Sequence, residues 1–314
     1  MGYFLLRRTI GFALTLLTIT VVVFAVMNVL PGDPALTILG IEASEAALEA
    51  LRIQLGLHEP LIVRYFNWVG DAIRGDFGTS HAYRVPVSEL VFERLPLTLS
   101  LAVGGMVATI ILALAMGVGA AANHRKAGDW GVMFISQIGI AIPSFWLAML
   151  LVLLFAVHLQ WLPPGGFPGW SDPVAAIRSL ILPIAALTVV QAAVLARVTR
   201  SSALEVMRLD YVRTARAMGY PRQRILWRHV LPNALVPIVT IVGLQFATLI
   251  TGTIIIENVF YLPGLGRLVF QAIANRDLPL VQALVTLFAV IVVTVNFLVD
   301  VVYVMIDPRL KARA

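Results

Sequence analysis

Six long stretches of apolar residues without a single charge decide what this chain can become. They run from Thr9 to Leu30, Leu97 to Ala122, Gly131 to Val157, Leu180 to Ala196, Leu231 to Ile256 and Leu278 to Val299. A helix needs about 20 apolar residues to cross a hydrocarbon core of roughly 30 Å. Lipid offers the backbone no hydrogen-bond partner, so each stretch that crosses must be helical. Composition agrees. Of 314 residues, 60% are hydrophobic and 13% charged, about half the ~25% charge of a soluble domain. The expected fold is an all-α integral membrane protein of about six transmembrane helices.

Arg7 and Arg8 precede the first stretch as the n-region of a cleavable or twin-arginine signal would. Its apolar run of 22 residues exceeds the usual h-region of about 7–15, and Leu30-Pro31-Gly32-Asp33 offers no small-residue cleavage site. An uncleaved anchor is expected. Cytoplasmic loops concentrate Lys and Arg. With the amino terminus inside, fifteen of the 23 basic residues fall on the cytoplasmic side. They are Arg7, Arg8, Arg125 and Lys126, eight arginines between Arg197 and Arg228, and Arg309, Lys311 and Arg313. Both termini are therefore expected in the cytoplasm. Topology then accounts for the net charge of +6, and nucleic-acid binding loses its motivation.

The chain divides into three parts on this reading. Residues 1–30 are a tail and first span, residues 31–96 an external segment, and residues 97–314 a five-helix core. In the external segment Ala47, Leu48, Leu51 and Leu55 repeat at helical spacing after Ser44, with Gly56 as a stop. A second helix is expected from Leu61 to Ile73, with Tyr65, Phe66 and Trp68 available to the membrane interface. Gly75-Asp76-Phe77-Gly78-Thr79-Ser80 reads as a turn. The segment is a small cap on the helix ends, a docking surface for an external partner, or both. The loop Trp161–Trp170 is rich in Pro and Gly; its two tryptophans suit interfacial anchors, or, at the outer mouth, contact with a substrate or an external protein.

Residues 197–230 carry eight arginines against only Glu205 and Asp210. A helix is expected from Ala203 to Met218, ended by Gly219 in the left-handed conformation, and a second from Pro221 to His229. Pro232 lacks an N–H and is expected to bend the chain as it enters the fifth span. Anionic lipid alone explains the arginines. It does not explain Ala215, Ala217 and Gly219, small residues that let another backbone approach.

Chemistry is conspicuously unprovided for. No cysteine is present, and the five histidines are scattered without an H-E-x-x-H pair, so neither a metal site nor a thiol nucleophile is expected. No G-x-S-x-G offers a serine nucleophile. Asp300 reads as the one charge near a span's interior, hydrated or paired with an arginine. The only lysines, Lys126 and Lys311, follow Arg125 and Leu310, so no phosphate-binding P-loop exists. An intramembrane enzyme or a membrane scaffold remains as an alternative of another class. Within the spans, Gln137, Gln191, Gln245 and Asn296 either line a polar route or hydrogen-bond a neighbouring helix. Ala113 with Gly117, and Thr248 with Gly252, offer small faces for close helix packing.

The segment Asp210-Tyr211-Val212-Arg213-Thr214-Ala215-Arg216-Ala217-Met218-Gly219, followed by His229-Val230-Leu231-Pro232-Asn233-Ala234, resembles the cytoplasmic loop of binding-protein-dependent ABC importer permeases. That signature reads E-A-A, three residues, G, nine residues, I-x-L-P. Aligning Gly219 sets Ala215 on the second alanine and Leu231-Pro232 on the final pair. Arg213 stands at the glutamate, Thr214 at the first alanine and His229 at the isoleucine. These departures suit the first permease subunit of dipeptide, oligopeptide and nickel importers. Leu30-Pro31-Gly32-Asp33-Pro34, the Gly75–Ser80 turn and Arg94-Leu95-Pro96-Leu97-Thr98 fit the same branch. So do Glu257-Asn258-Val259-Phe260, Pro263-Gly264-Leu265-Gly266, Arg276-Asp277-Leu278-Pro279 and Asp307-Pro308-Arg309-Leu310-Lys311.

The resemblance implies an importer permease fold in a bacterial inner membrane, pairing with a second, related permease. It implies two ATP-binding subunits, which hold the ATP and Mg while this chain holds no cofactor, and an external solute-binding protein. Arg213, Thr214, Ala215, Arg216, Gly219, Leu231 and Pro232 would then lie at or beside the ATPase contact. The implied cargo is di- or oligopeptides, with nickel, glutathione or another small solute as the alternative.

Overall fold

The computed structural model describes residues 2–29, 34–40, 43–54 and 56–306. Leu30–Asp33, Leu55 and the basic carboxy-terminal stretch with Arg309, Lys311 and Arg313 lie outside the described residues. Those described form thirteen α-helices and no strand, only an isolated bridge between Thr79 and Pro86.

Five helices are long and apolar enough to cross a membrane. They are α1 (Gly2–Val29), α5 (Val87–Ala122), α8 (Pro173–Val206), α11 (Leu231–Val259) and α13 (Leu278–Ile306). The expected third span is not one straight helix. α6 (Ala127–Ala141) and α7 (Ser144–Leu151) meet at 103°, and α7 continues as a π-helical turn over Val152–His158. Pro143 explains the break: it has no N–H, and it forces Ile142 into an extended conformation with φ −87° and ψ 124°. Counted as one bent span, the pair makes six.

α5 and α8 make the most extensive helix pairing, and α11 packs on both. Small residues permit the approach. A Cβ on Gly117 would collide with the side chain of Thr199 and the carbonyl of Ala196, and Ala113 beneath it is fully buried. Gly252 faces Leu187 in the same way, whereas Thr248 only returns its hydroxyl to the Leu244 carbonyl. Leu101, Leu182, Leu187, Phe246 and Leu249 fill the centre of the three-helix contact. α1 packs against α13 at the margin, its other faces presenting Leu6, Ile10, Leu14 and Leu17 outward. Asp300 pairs with Arg8 across that contact at 3.0 Å, the arginine partner being one of the two surroundings its sequence allowed.

The two ends of the bundle differ. At one end lie the start of α1, the α5–α6 turn and the α8–α11 connection. At the other lie α2 (Pro34–Leu39), α3 (Glu45–Gln54), α4 (Leu61–Ile73) and the loops before α8 and α13. α4 has the limits its periodicity predicts. Ser44 caps α3 by accepting from the Ala47 amide at 3.3 Å, and Gly56 turns the chain at φ +65°. Phe24 of α1 packs on Tyr65 and Trp68 of α4. The loop after the π turn is pinned by a 2.8 Å bond from the Gly166 amide to the Phe260 carbonyl. Trp161 and Trp170 stay half exposed.

Candidate functional site

The connection between α8 and α11 is a helical hairpin, differing in detail from the two helices its sequence predicts. α8 stops at Val206, and Leu209 is extended before α9 (Asp210–Ala217) begins. Asp210 in the first turn of α9 favours that restart through the helix dipole. The second helix keeps close to its expected limits, as α10 (Arg222–Ile225) followed by a π turn over Leu226–Val230, and runs on into α11. Pro232 falls just after the π turn, and that widened turn accommodates its missing N–H, so the helix runs on from Arg222 to Val259 without the expected bend.

Gly219 closes α9 as the spacing requires. Its φ is +77°, its amide donates to the Arg216 carbonyl at 3.0 Å, and the Tyr220 amide donates to the Ala215 carbonyl at 3.3 Å. Those are the two bonds of a Schellman cap. No atom lies within 4 Å of where its Cβ would stand. Within this chain the glycine is required by conformation, and the space in front of it is open.

The hairpin has two faces. Val212 and Ala215 turn inward and pack with Ala203, Val206, Ile225 and Val230. Arg213, Thr214, Arg216, Ala217 and Met218 face outward, with Met218 67% exposed. Ala215 is thus small because α9 lies close on its own core, and the outward face is basic with one large apolar side chain. Arg213 reaches only the exposed Asp210 at 3.3 Å, and Thr214 returns its hydroxyl to the Asp210 carbonyl. Arg224 sits over the Tyr220 ring, which stacks on His229. The hydroxyl of Tyr211 donates to the His229 carbonyl at 3.4 Å, and burial pushes its phenol up from the ordinary value. Leu231 is partly buried at the hairpin's exit.

The polar residues inside the spans fall into two groups. Gln191 and Gln245 are buried and bonded to each other's backbone: each side-chain amide donates to the other's carbonyl, at 3.2 and 2.9 Å. They form a rung between α8 and α11. Gln137 and Asn296 are exposed, Gln137 accepting from Arg197 at 3.4 Å and Asn296 lying beside Arg7, Arg8 and Asp300.

Where the sequence marks only Asp300 as a charge near a span, the structure buries three further carboxylates. Glu257, in the last turn of α11, is fully buried. It accepts from the Thr98 hydroxyl at 2.6 Å and from the Arg267 amide at 3.1 Å. Thr98 in turn accepts from the Leu265 amide. The carboxylate therefore caps α12 (Leu265–Ala274) and joins it to α5 and α11. A Cβ on Gly264 would strike it, and one on Gly266 would strike the Ile254 backbone with the carboxylate next to it, so both glycines are demanded by this packing. Asp277 caps α13 by accepting from the Leu280 amide, and holds Ser80 at 2.5 Å and the Ala82 amide at 3.1 Å. Asp129 of α6 receives Arg200 of α8 in a two-pronged ion pair of 2.5 and 2.7 Å, with His124 at 3.2 Å. No group of acids and histidines among the described residues could hold a metal.

These pairings bring together motifs that lie far apart in the chain: Ser80 with Asp277, and Thr98 with Glu257, Gly264 and Gly266. Residues 113–312 match the family described as binding-protein-dependent transport system inner membrane component, and residues 1–102 match its N-terminal membrane component. The oligopeptide transport system permease protein AppB of Bacillus subtilis is 38% identical over 99% of this chain and 100% of its own length. The glutathione transport system permease protein GsiC of Salmonella choleraesuis is 40% identical over 98% of each chain. In fold, the bundle resembles a chain of the MetNI methionine ABC transporter in an inward-facing conformation. That likeness has a TM-score of 0.59 at 20% identity, covering 69% of this chain and 96% of that one.

Proposed function

This chain belongs to the inner membrane components of binding-protein-dependent transport systems, and from that premise we propose that it forms one half of the peptide route of an ABC importer, driven through the hairpin 207–230. It is a multi-pass permease of the inner membrane and not itself the source of chemical energy. ATP hydrolysis belongs to two separate subunits, and delivery of the cargo to an external solute-binding protein. A second, related permease supplies the other wall of the route. The hairpin, both termini and the α5–α6 turn face the cytoplasm, and residues 34–86 face outward.

The observation that carries this reading is the outward face of the hairpin. Arg213, Arg216 and Met218 are exposed around a left-handed Gly219 with nothing in front of it. A short helix joined to two spanning helices is a handle, and closure of paired ATPases against it would tilt α8 and α11. Arg213, Thr214, Arg216 and Gly219 meet the ATPase in this reading. Ala215, Leu231 and Pro232 hold the hairpin's shape. Gln137 and Asn296, being exposed, remain available to a route or a neighbouring subunit. Gln191 and Gln245 serve packing.

Di- or oligopeptides are the cargo favoured by the relative from Bacillus subtilis. The relative from Salmonella favours a second reading, glutathione, which is itself a small peptide. Uptake of labelled di-, tri- and longer peptides and of glutathione, in cells with and without the chain, separates them. Loss of one peptide class confirms the first reading, loss of glutathione alone the second, and unchanged uptake of all of them removes both. Sidedness is tested separately. The chain has no cysteine, so single cysteines at Ala127 and Ala82 report their own exposure. A membrane-impermeant maleimide applied to intact spheroplasts should label the second and spare the first.

A further inference from the structure

For a helix bathed in water, α4 is turned inside out. Its charged and amide side chains, Arg64, Asn67 and Asp71, line a cavity of about 440 Å³ shared with Phe24, Met27 and Asn28 of α1 and the start of α13. Tyr65 and Trp68 lie on α1. The side away from the cavity carries Ile62, Phe66, Val69 and Ile73, which fall within about 60° of one another around the helix. Ile62, Phe66 and Ile73 are 72%, 66% and 81% exposed, and no residue of the helix is buried. A helix resting on a protein in water places its apolar stripe inward and its charges outward. The reverse arrangement calls for apolar surroundings outside the chain.

Depth identifies those surroundings. Arg8 pairs with Asp300 at 3.0 Å, both partly exposed, which sets them at one edge of the membrane. The hydroxyls of Tyr65 and Thr20 are 2.9 Å apart, and the Tyr65 and Trp68 rings pack on Phe24 at 5.4 and 5.9 Å. Thr20 and Phe24 stand about 18 and 24 Å along α1 from Arg8, at 1.5 Å per residue. A hydrocarbon core is roughly 30 Å thick, so both contacts lie about 6–12 Å inside its far edge. The apolar span of α1, Leu6–Asn28, has 23 residues and matches that core, so no overlong helix sets the level. Tilt only deepens it. We propose that α4 is set into the leaflet opposite Arg8, with Ile62, Phe66, Val69 and Ile73 among the acyl chains of its phospholipids. Amphipathic helices at a membrane surface bury their apolar face about 5–10 Å deep, in keeping with these levels. The stripe adds to the aliphatic surface that α1 exposes at the same levels through Val21, Val22 and Val26. It has none of the small or polar residues through which helices join inside a membrane. Of the three aromatics its sequence offers to the interface, Phe66 alone turns outward. The permease reading enters only in naming that leaflet the outer one.

The test uses the assembled importer in nanodiscs, its one reactive cysteine placed in this chain and labelled with bimane. Phe66→Cys and Ile73→Cys should lose most of their emission to a phosphatidylcholine carrying a nitroxide near the top of its acyl chain. Aqueous acrylamide should quench them little. Asn67→Cys, on the cavity side, should show the reverse, so two faces of one helix control for each other. Strong quenching of the outward pair by acrylamide would overturn the idea, because water would then cover the stripe. Protection from both quenchers would overturn it as well, by showing that another subunit lies there. The nitroxide reports depth and not sidedness. Lipid quenching in an importer whose maleimide test shows the opposite orientation would therefore keep α4 in the membrane and sink the topology alone.

Discussion

The hairpin between α8 and α11 and the buried cluster around Glu257 lie at opposite ends of the same helix, and they spend their polar groups in opposite ways. From Leu231 to Glu257 is about 39 Å of helix at 1.5 Å per residue. At the Glu257 end every named donor finds an acceptor inside the chain: Thr98, the Arg267 amide and, around Asp277, Ser80, Ala82 and Leu280. At the hairpin end the cations outnumber the acids, and Arg213, Arg216 and Arg222 face outward without a strong partner. One end is finished by folding. The other leaves its basic groups exposed. The same helix thus carries a fixed anchor at one end and an open basic surface at the other.

The sharpest way to break that contrast is to remove the anchor. Glu257→Ala leaves a hydroxyl and a backbone amide without acceptors in a buried site, at about 1–3 kcal/mol each. A loss of roughly 3 kcal/mol is expected, read as a lowered unfolding temperature of the purified chain in detergent. An unchanged midpoint would show the cluster to be ornamental. Gly219 comes next, because it separates conformation from contact. Gly219→Val forces a β-branched residue to positive φ, costing about 1–2 kcal/mol locally, and should abolish peptide uptake. Gly219→Asn tolerates that φ. If Asn restores uptake, the glycine serves shape alone; if both variants fail while membrane insertion is normal, a partner backbone needs the open space.

Smaller effects belong to the exposed side. Arg213→Gln removes an exposed ion pair with Asp210 and should change stability by less than about 0.5 kcal/mol, yet weaken co-purification of the ATPase subunits. A large loss of stability with association intact would reverse the contrast drawn above. The smallest effect concerns pH. His81 is half-buried beside the Asp277 network, and burial lowers its pKa from 6.5 despite the opposing pull of Asp277. A depressed histidine binds its proton more readily in the unfolded chain. Its contribution is therefore complete above pH 6.5 and declines as pH falls from there toward the folded value. Hydrogen exchange at the Ala82 amide, which donates to Asp277, should quicken on acidification from about pH 8 to pH 5. Constant protection after correction for intrinsic rates would rule this out.

Spans and caps were legible in the residues because they depend on local rules. Lipid leaves an apolar run of this length only one conformation, so α1, α5, α11 and α13 stand where hydropathy puts them. α4 keeps its predicted limits because Pro60 and Gly75 bracket it, and Gly219 announces its own φ. What failed to show was decided by distant partners. Nothing near Glu257 in the chain reveals that Thr98, some 160 residues earlier, will satisfy it. The spacing of Gly264 and Gly266 behind it is the one local hint. The reciprocal bonds of Gln191 and Gln245 are equally invisible, since a lone glutamine in a span has two honest uses. The bend at Pro143 was readable in principle, because proline and its neighbour are restricted locally. A hydropathy window averages over it.

That glutamine rung has a mechanical consequence. The hairpin joins α8 and α11 at their ends, the rung ties them again partway along, and Glu257 fixes the far end of α11 to α5 and α12. Two struts joined at the tip and cross-braced at mid-length cannot be spread apart by a load applied at the tip. The load must turn both together about the far attachment, so a small displacement at the hairpin becomes rotation of a stiff frame. The geometry favours a rocking stroke over the bending of any single helix.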